Sequence, residues 1–240
     1  MSLESDFLEA FELHSTTKIR QALAAGASPV DLIKGKRPID ILIEMYTRSA
    51  QFADCLRVML DAGATVGDPL LEAVLLDDAS KLPGDFNRKL YPLCAYTSCK
   101  GVSALHICAE FNSVRCGAVL IEAGADVNAR ADVDDNGIGG QTPLFHAVNS
   151  NHNHCRPMME LLVDAGADLD VRLKGLLWGD TMDWETVVFD VTPISYAQCG
   201  LYRQFHRRET DVYSNIAYLY RKRYMQDLPV RNVPNKYLSS

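Results

Sequence analysis

Four side chains of metal-ligand type, His146, His152, His154 and Cys155, fall within ten residues of one another. Their His-x-His-Cys spacing is not that of a structural zinc site, and no Cys-x-x-Cys pair occurs anywhere in the chain. His106 and Cys108 could in principle form a base and a nucleophile. On a helix, however, residues two apart diverge rather than meet. Asp132, Asp134, Asn136 and Gly137 occupy positions 1, 3, 5 and 6 of a calcium loop. Position 12 should then be a bidentate glutamate and is instead Pro143. The remaining alternatives for this stretch are a solvated acidic hairpin tip or an acidic contact for a basic partner. No glycine-rich phosphate loop, no G-x-S-x-G and no carboxylate pair in a recognisable setting is present. The expectation is a protein with no catalytic residues, no metal and no cofactor.

Composition bounds the classes that remain. The 240 residues are 48% hydrophobic and 23% charged, with a net charge of −7, which excludes wholesale disorder and a collagen-like fibre. No stretch approaches the ~20 apolar residues of a spanning helix, so a membrane partner is not expected. The acidic opening MSLESDFLEAFELH does not resemble a signal peptide. With seven cysteines, an odd number, it points to free thiols and a cytoplasmic setting. Past Gly200 the chain carries a surplus of five positive charges and six of its ten tyrosines, while the first 200 residues are strongly acidic.

The elements that position these residues repeat. LAAGAS (23–28) returns as LDAGAT (60–65), IEAGAD (121–126) and VDAGAD (163–168), each after an apolar pattern of helical period. The glycine stands where the helix must stop, since it adopts the left-handed conformation without steric cost. Upstream lies a second phrase, seen in GKRPIDIL (35–42), GVSALHICA (101–109), GQTPLFHAV (140–148), DPLLEAV (68–74) and VTPISYA (191–197). There Thr142 and Thr192 can cap a helix, with Pro143 and Pro193 in its first turn. Each unit reads as turn, short helix, tight turn, second helix, glycine stop.

This unit resembles the ankyrin repeat, with its T-P-L-H-x-A phrase and G-A-D-V-N-A ending. Gly101–Ala129 is the best copy: Ser103, Ala104, Leu105 and His106 stand in for T-P-L-H, and 124–129 match outright. The resemblance implies an all-α ankyrin-repeat solenoid of stacked helix–turn–helix units with β-hairpin loops. It covers residues 1–223 as about six units. These are 1–34 as an N-cap, 35–67, 68–100, 101–139, 140–189, and 190–223 as a C-cap, followed by a tail, 224–240. It also explains the histidines: the family carries one at the turn between helices, His152 falls close to that slot, and the turn there is enlarged by about three residues. Asn128, eight residues after Leu120, resembles the site of asparaginyl hydroxylases; the simpler role is that its amide pins the hairpin.

Spacing then locates insertions. Gly124 to Thr142 spans 18 positions and Gly166 to Thr192 spans 26, against about 12 in a regular repeat. The first insertion is the acidic stretch 132–139. The second, 176–189, holds both tryptophans, Trp178 and Trp184, and two β-prone runs that imply an extended hairpin over 174–189. It either contacts a partner or folds back on the last repeat. The function implied is a monomeric protein–protein interaction scaffold that grips a partner protein with its concave face and hairpins. The candidate contact residues are Glu110, Phe111, Asp132, Asp134, Asp135, Asn149, Trp178, Asp183 and Trp184, with aromatic anchors and acidic selectors. The alternative is an anionic ligand or nucleic acid on the basic end, through Arg203, Arg207, Arg208 and Arg221–Arg223. Nucleic acid is disfavoured by the overall charge.

Overall fold

The computed structural model describes residues 3–45, 48–88, 90, 101–179, 183 and 185–229. Its helices come in pairs. α1 (Leu3–Glu12) and α2 (Thr16–Ala24) form the first pair, and α3 (Pro38–Glu44) and α4 (Phe52–Asp61) the second. α5 (Pro69–Leu75) is followed, among the described residues, by a 3-10 turn, Ala79–Lys81. Then come α6 (Ala104–Phe111) with α7 (Val114–Glu122), α8 (Pro143–Ala147) with α9 (Arg156–Asp164), and α10 (Pro193–Cys199) with α11 (Glu209–Tyr224). The first helices stack in a row in which α6 lies between α5 and α8, and α8 meets α10; α2 packs on α4 and α7 on α9 in a second row.

The local chemistry explains both ends of each unit. Proline opens α3, α5, α8 and α10, where its missing N–H is not needed. The second residue of four first helices, Ile39, Leu70, Leu105 and Leu144, is buried, so the same position feeds the core from unit to unit. At the four glycine stops the N–H groups of Ala27, Ala64, Ala125 and Ala167 donate to the carbonyls of Ala22, Met59, Leu120 and Leu162 at 2.9–3.0 Å. The preceding glycines take φ of +88° to +101°, which a side chain would resist. Thr192 caps α10 by accepting from Ser195 N at 3.2 Å. Thr142 does not cap α8: its Oγ1 is buried with no partner, beside an equally unpartnered Gln141 amide.

The helical part of the expectation holds but an all-α chain is not confirmed, and the hairpin expected over 174–189 is present. β1 (Leu173–Trp178) and β2 (Thr186–Val191) pair antiparallel in a two-stranded sheet, with Gly175 opposite Phe189 and Leu177 opposite Val187. A helix could not form here, because β-branched and aromatic side chains flank the turn and no helical period runs through it.

Cys55, Cys108, Cys116, Cys155 and Cys199 are free and buried. Burial pushes their thiols up, Cys55 to about 11 and Cys116 and Cys155 to about 12. No helix among the described residues is long and apolar enough to cross a membrane.

Candidate partner-binding surface

Two regions hold the residues singled out by sequence. The first lies along the turns that join the two helices of successive units. Glu110, at the end of α6, receives Nε of Arg48 at 3.1 Å and Nδ1 of His146 at 3.0 Å. The side chain is 21% exposed and Arg48 only 9%. Burial works against the ionised carboxyl, but the His146 hydrogen bond and the charges of Arg48 and His146 outweigh it and hold Glu110 down to about 2. Phe111 packs on Phe52, ring centres 4.6 Å apart, and the Arg48 guanidinium covers its face at 4.4 Å. His14, in the α1–α2 turn, touches Phe52 and bonds Ser49 Oγ at 2.8 Å through Nδ1. Burial, then the charges of Arg48 and His154, press it down to about 4.

The enlarged turn 149–155 closes the other side. His152 and Asn153 are left-handed in succession, with φ of +49° and +54°, which turns the chain back over the end of α6. Cys155 Sγ then donates to Glu110 O at 3.4 Å. Asn149 donates to Tyr196 O at 3.4 Å, and its own carbonyl accepts Nε of Arg207 at 3.0 Å. Its Oδ1 is buried without a partner. Glu110, Phe111 and Asn149 are thus brought into one seam, together with Arg48, His14, His146 and Arg207. Sequence reasoning missed the contact between Arg48 and Glu110, because the partners lie 62 residues apart and Arg48 is outside the repeated phrases.

The second region is formed by the insertions. Asp134 Oδ1 accepts the N–H of Asn136 at 2.9 Å and of Ile138 at 2.8 Å, tightening the 132–139 finger on itself. Gly139 N donates to Gly175 O at 2.9 Å and Lys174 Nζ to Asn136 O at 2.6 Å, so this finger is bonded to β1. Asp132 is half-buried, whereas Asp134, Asp135 and Asp183 are exposed. Trp178 stacks on Phe205, ring centres 4.0 Å apart at 9°. That places this tryptophan against the last unit; Trp184 lies outside the described residues. Glu110, Phe111 and Asn149 do not join this second group.

The chemical candidates find structural roles. His106 accepts from Ser103 N at 3.0 Å through Nδ1 and donates from Nε2 to Gln141 O at 3.0 Å, tying one repeat to the next. Burial and the neighbouring His146 hold it down to about 3, so it stays neutral. Asn128 pins the following finger: Nδ2 donates to Gly166 O at 3.3 Å and Oδ1 accepts Asp168 N at 2.8 Å. Among the described residues no three His, Cys, Asp or Glu side chains are placed to hold a metal ion. The basic end is largely neutralised: Lys222 pairs with Asp164 at 2.7 Å, Arg221 with Asp227 at 2.6 Å, Arg208 with Asp211 at 2.7 Å, and Arg223 with Asp170.

Comparison with known proteins agrees with this architecture. The B-cell lymphoma 3 protein homolog of Mus musculus is 28% identical over 156 residues, which is 65% of this chain and 27% of that protein. The chain therefore spans about a quarter of the length of the curated relative it matches. Residues 78–173 match the family model described as ankyrin repeats in three copies. Ankyrin repeats are in general protein–protein interaction modules, and no enzymatic family is indicated. By this match and by the stacked helix pairs, residues 78–173 are similar to ankyrin repeats.

Proposed function

We propose that this chain is a non-catalytic interaction scaffold or adaptor that binds a partner protein with its concave face and its projecting hairpins. The observation that carries this reading is the bond from Gly139 N–H to Gly175 O, which joins the two insertions into one body. Extra chain length in a repeat protein is spent on loops of one face, and here both insertions serve a single place. Exposed Asp134, Asp135 and Asp183 on that body favour a partner with basic groups. The reading includes a monomer in the cytoplasm, which suits five buried free thiols. The alternative, an anion site on the C-terminal cap, is weakened by the pairing of Lys222, Arg223, Arg221 and Arg208 with aspartates.

The test is affinity capture from native lysate followed by mass spectrometry, with the full chain as bait. A protein captured by the wild type and lost on changing Asp135→Lys with Asp183→Lys is the expected result. Capture unaltered by that pair, and also by Trp178→Ala with Trp184→Ala, would overturn a role for the hairpins.

A further inference from the structure

The β1–β2 hairpin is apolar on both faces. By register, Leu176, Trp178 and Val188 share one face, and all three belong to or pack against the core of the stack. Gly175, Leu177, Val187 and Phe189 share the other, whose base, Leu173 with Val191, is buried in the core, so only its outer part lies off the stack. On that side Leu177 and Val187 are half-buried and Phe189 is 68% exposed, yet none of the three belongs to the core or packs against it. Ile138, delivered by the neighbouring finger, completes the group. A Cβ on Gly175 would meet Ile138 Cδ1 at 2.7 Å, Val187 Cγ1 at 3.1 Å and Phe189 Cδ1 at 3.5 Å. The three side chains thus close over a glycine and bury one another rather than the hydrophobic interior.

An outward apolar cluster of this kind is stabilised by being covered. Its surroundings say by what. The two insertions and their flanks, 130–139 and 172–191, hold seven carboxylates against Arg130, Arg172 and Lys174, a net charge of −4. Arg172 is paired with Asp190, and Lys174 is engaged with Asn136 O. Asp135 and Asp183 are exposed, and neither has a carboxylate-binding partner among the described residues.

We infer that the solvent face of the hairpin, centred on Ile138, Val187 and Phe189, docks a segment of a partner protein that carries an apolar anchor flanked by lysine or arginine. The anchor covers Phe189 and Val187, and the flanking cations meet Asp135 and Asp183, so affinity comes from area and selection from charge sign. This rests on the reading of the chain as a protein-binding scaffold and gives that partner its chemistry.

The experiment is selection from a random dodecapeptide display library on the full chain, followed by fluorescence anisotropy with the enriched peptides. Enrichment of peptides with an aromatic or aliphatic residue between Lys or Arg is expected. Phe189→Ser should weaken their binding about tenfold, as for loss of a central anchor. Asp135→Lys should weaken it more at low salt than at high salt. The charge-matched Asp31→Lys, on the first unit, should leave it unchanged. Circular dichroism checks that each variant remains folded. Enriched peptides that are acidic, or whose binding ignores Phe189→Ser, would overturn the inference and leave the scaffold reading standing. Equal loss in Asp31→Lys shows attraction to net charge alone and also overturns it. If no peptide is enriched, both readings fall.

Discussion

Glu110 and His146, which belong to adjacent repeats 36 residues apart in the chain, meet through a 3.0 Å bond from Nδ1 to Oε2. The same carboxylate holds Arg48 of an earlier unit, so one acid ties three units of the stack together.

Removing that acid leaves the buried guanidinium of Arg48 without its carboxylate. Glu110→Ala should therefore destabilise the protein by about 3 kcal/mol, the lower end for a broken buried pair, since the site is one-fifth exposed. Glu110→Leu should cost a similar amount, and the double change Arg48→Met with Glu110→Leu should recover most of this loss. Urea midpoints of the four members of the cycle give the coupling, and an additive result contradicts the network.

Acid should act in two stages, the first shared by His14 and by His106, which burial likewise holds down, to about 3. His14 is pressed from 6.5 to about 4 in the folded chain, so its contribution is whole above pH 6.5 and is lost as pH falls from there towards 4. Up to about 3 kcal/mol is at stake. Glu110 is held below its ordinary 4.5, so its share persists to lower pH and is lost as pH falls from 4.5 towards 2. His14→Gln should flatten the fall in melting temperature between pH 6.5 and 4 without changing it below. Identical slopes for wild type and variant would refute the assignment to His14.

The two faces of the hairpin should respond differently to truncation. Trp178→Ala removes a stacked contact with Phe205 and should cost about 2 kcal/mol, with faster proteolysis between 173 and 191. Phe189→Ser changes a side chain that is 68% exposed and should shift stability by less than about 0.5 kcal/mol. Comparable losses would mean that the outer face is part of the core after all.

Gly139 has φ of +111°, and a Cβ there would lie 2.7 Å from the Asp132 carbonyl. Gly139→Ala should cost about 2 kcal/mol and release the bond to Gly175. Amide hydrogen exchange at residue 139 reports the release; protection unchanged from wild type would show that the fingers are held by something else.

What could be read from the chain without coordinates follows from how local each feature is. The glycine stops at Gly26, Gly63, Gly124 and Gly166 and the prolines opening α3, α5, α8 and α10 are set by neighbouring residues, so their spacing shows the helix pairs directly. The length of the 166–192 interval likewise shows that something projects there. The side on which Trp178 lies is not local: it depends on Phe205, which no repeated phrase marks. Thr142 and Thr192 head the same phrase, and only the residue three places on tells them apart as caps. Ser195, three residues on, bonds back to Thr192, whereas Phe145 at the matching position cannot. The seam on Glu110 depends on Arg48 and His14, which sit in turns of irregular length where periodicity carries no information.

The buried cysteines have a use that follows from where they lie. Cys55 belongs to the α3–α4 unit, Cys108 and Cys116 to α6–α7, Cys155 to α8–α9 and Cys199 to α10–α11. Each is silent to an alkylating reagent while its thiol is covered and its ionisation suppressed, and each becomes reactive when its own unit opens. The stack thus carries intrinsic clocks spaced along its axis. Mass-resolved labelling at increasing urea would record the order in which neighbouring units separate, and so whether the chain frays from an end or parts in the middle.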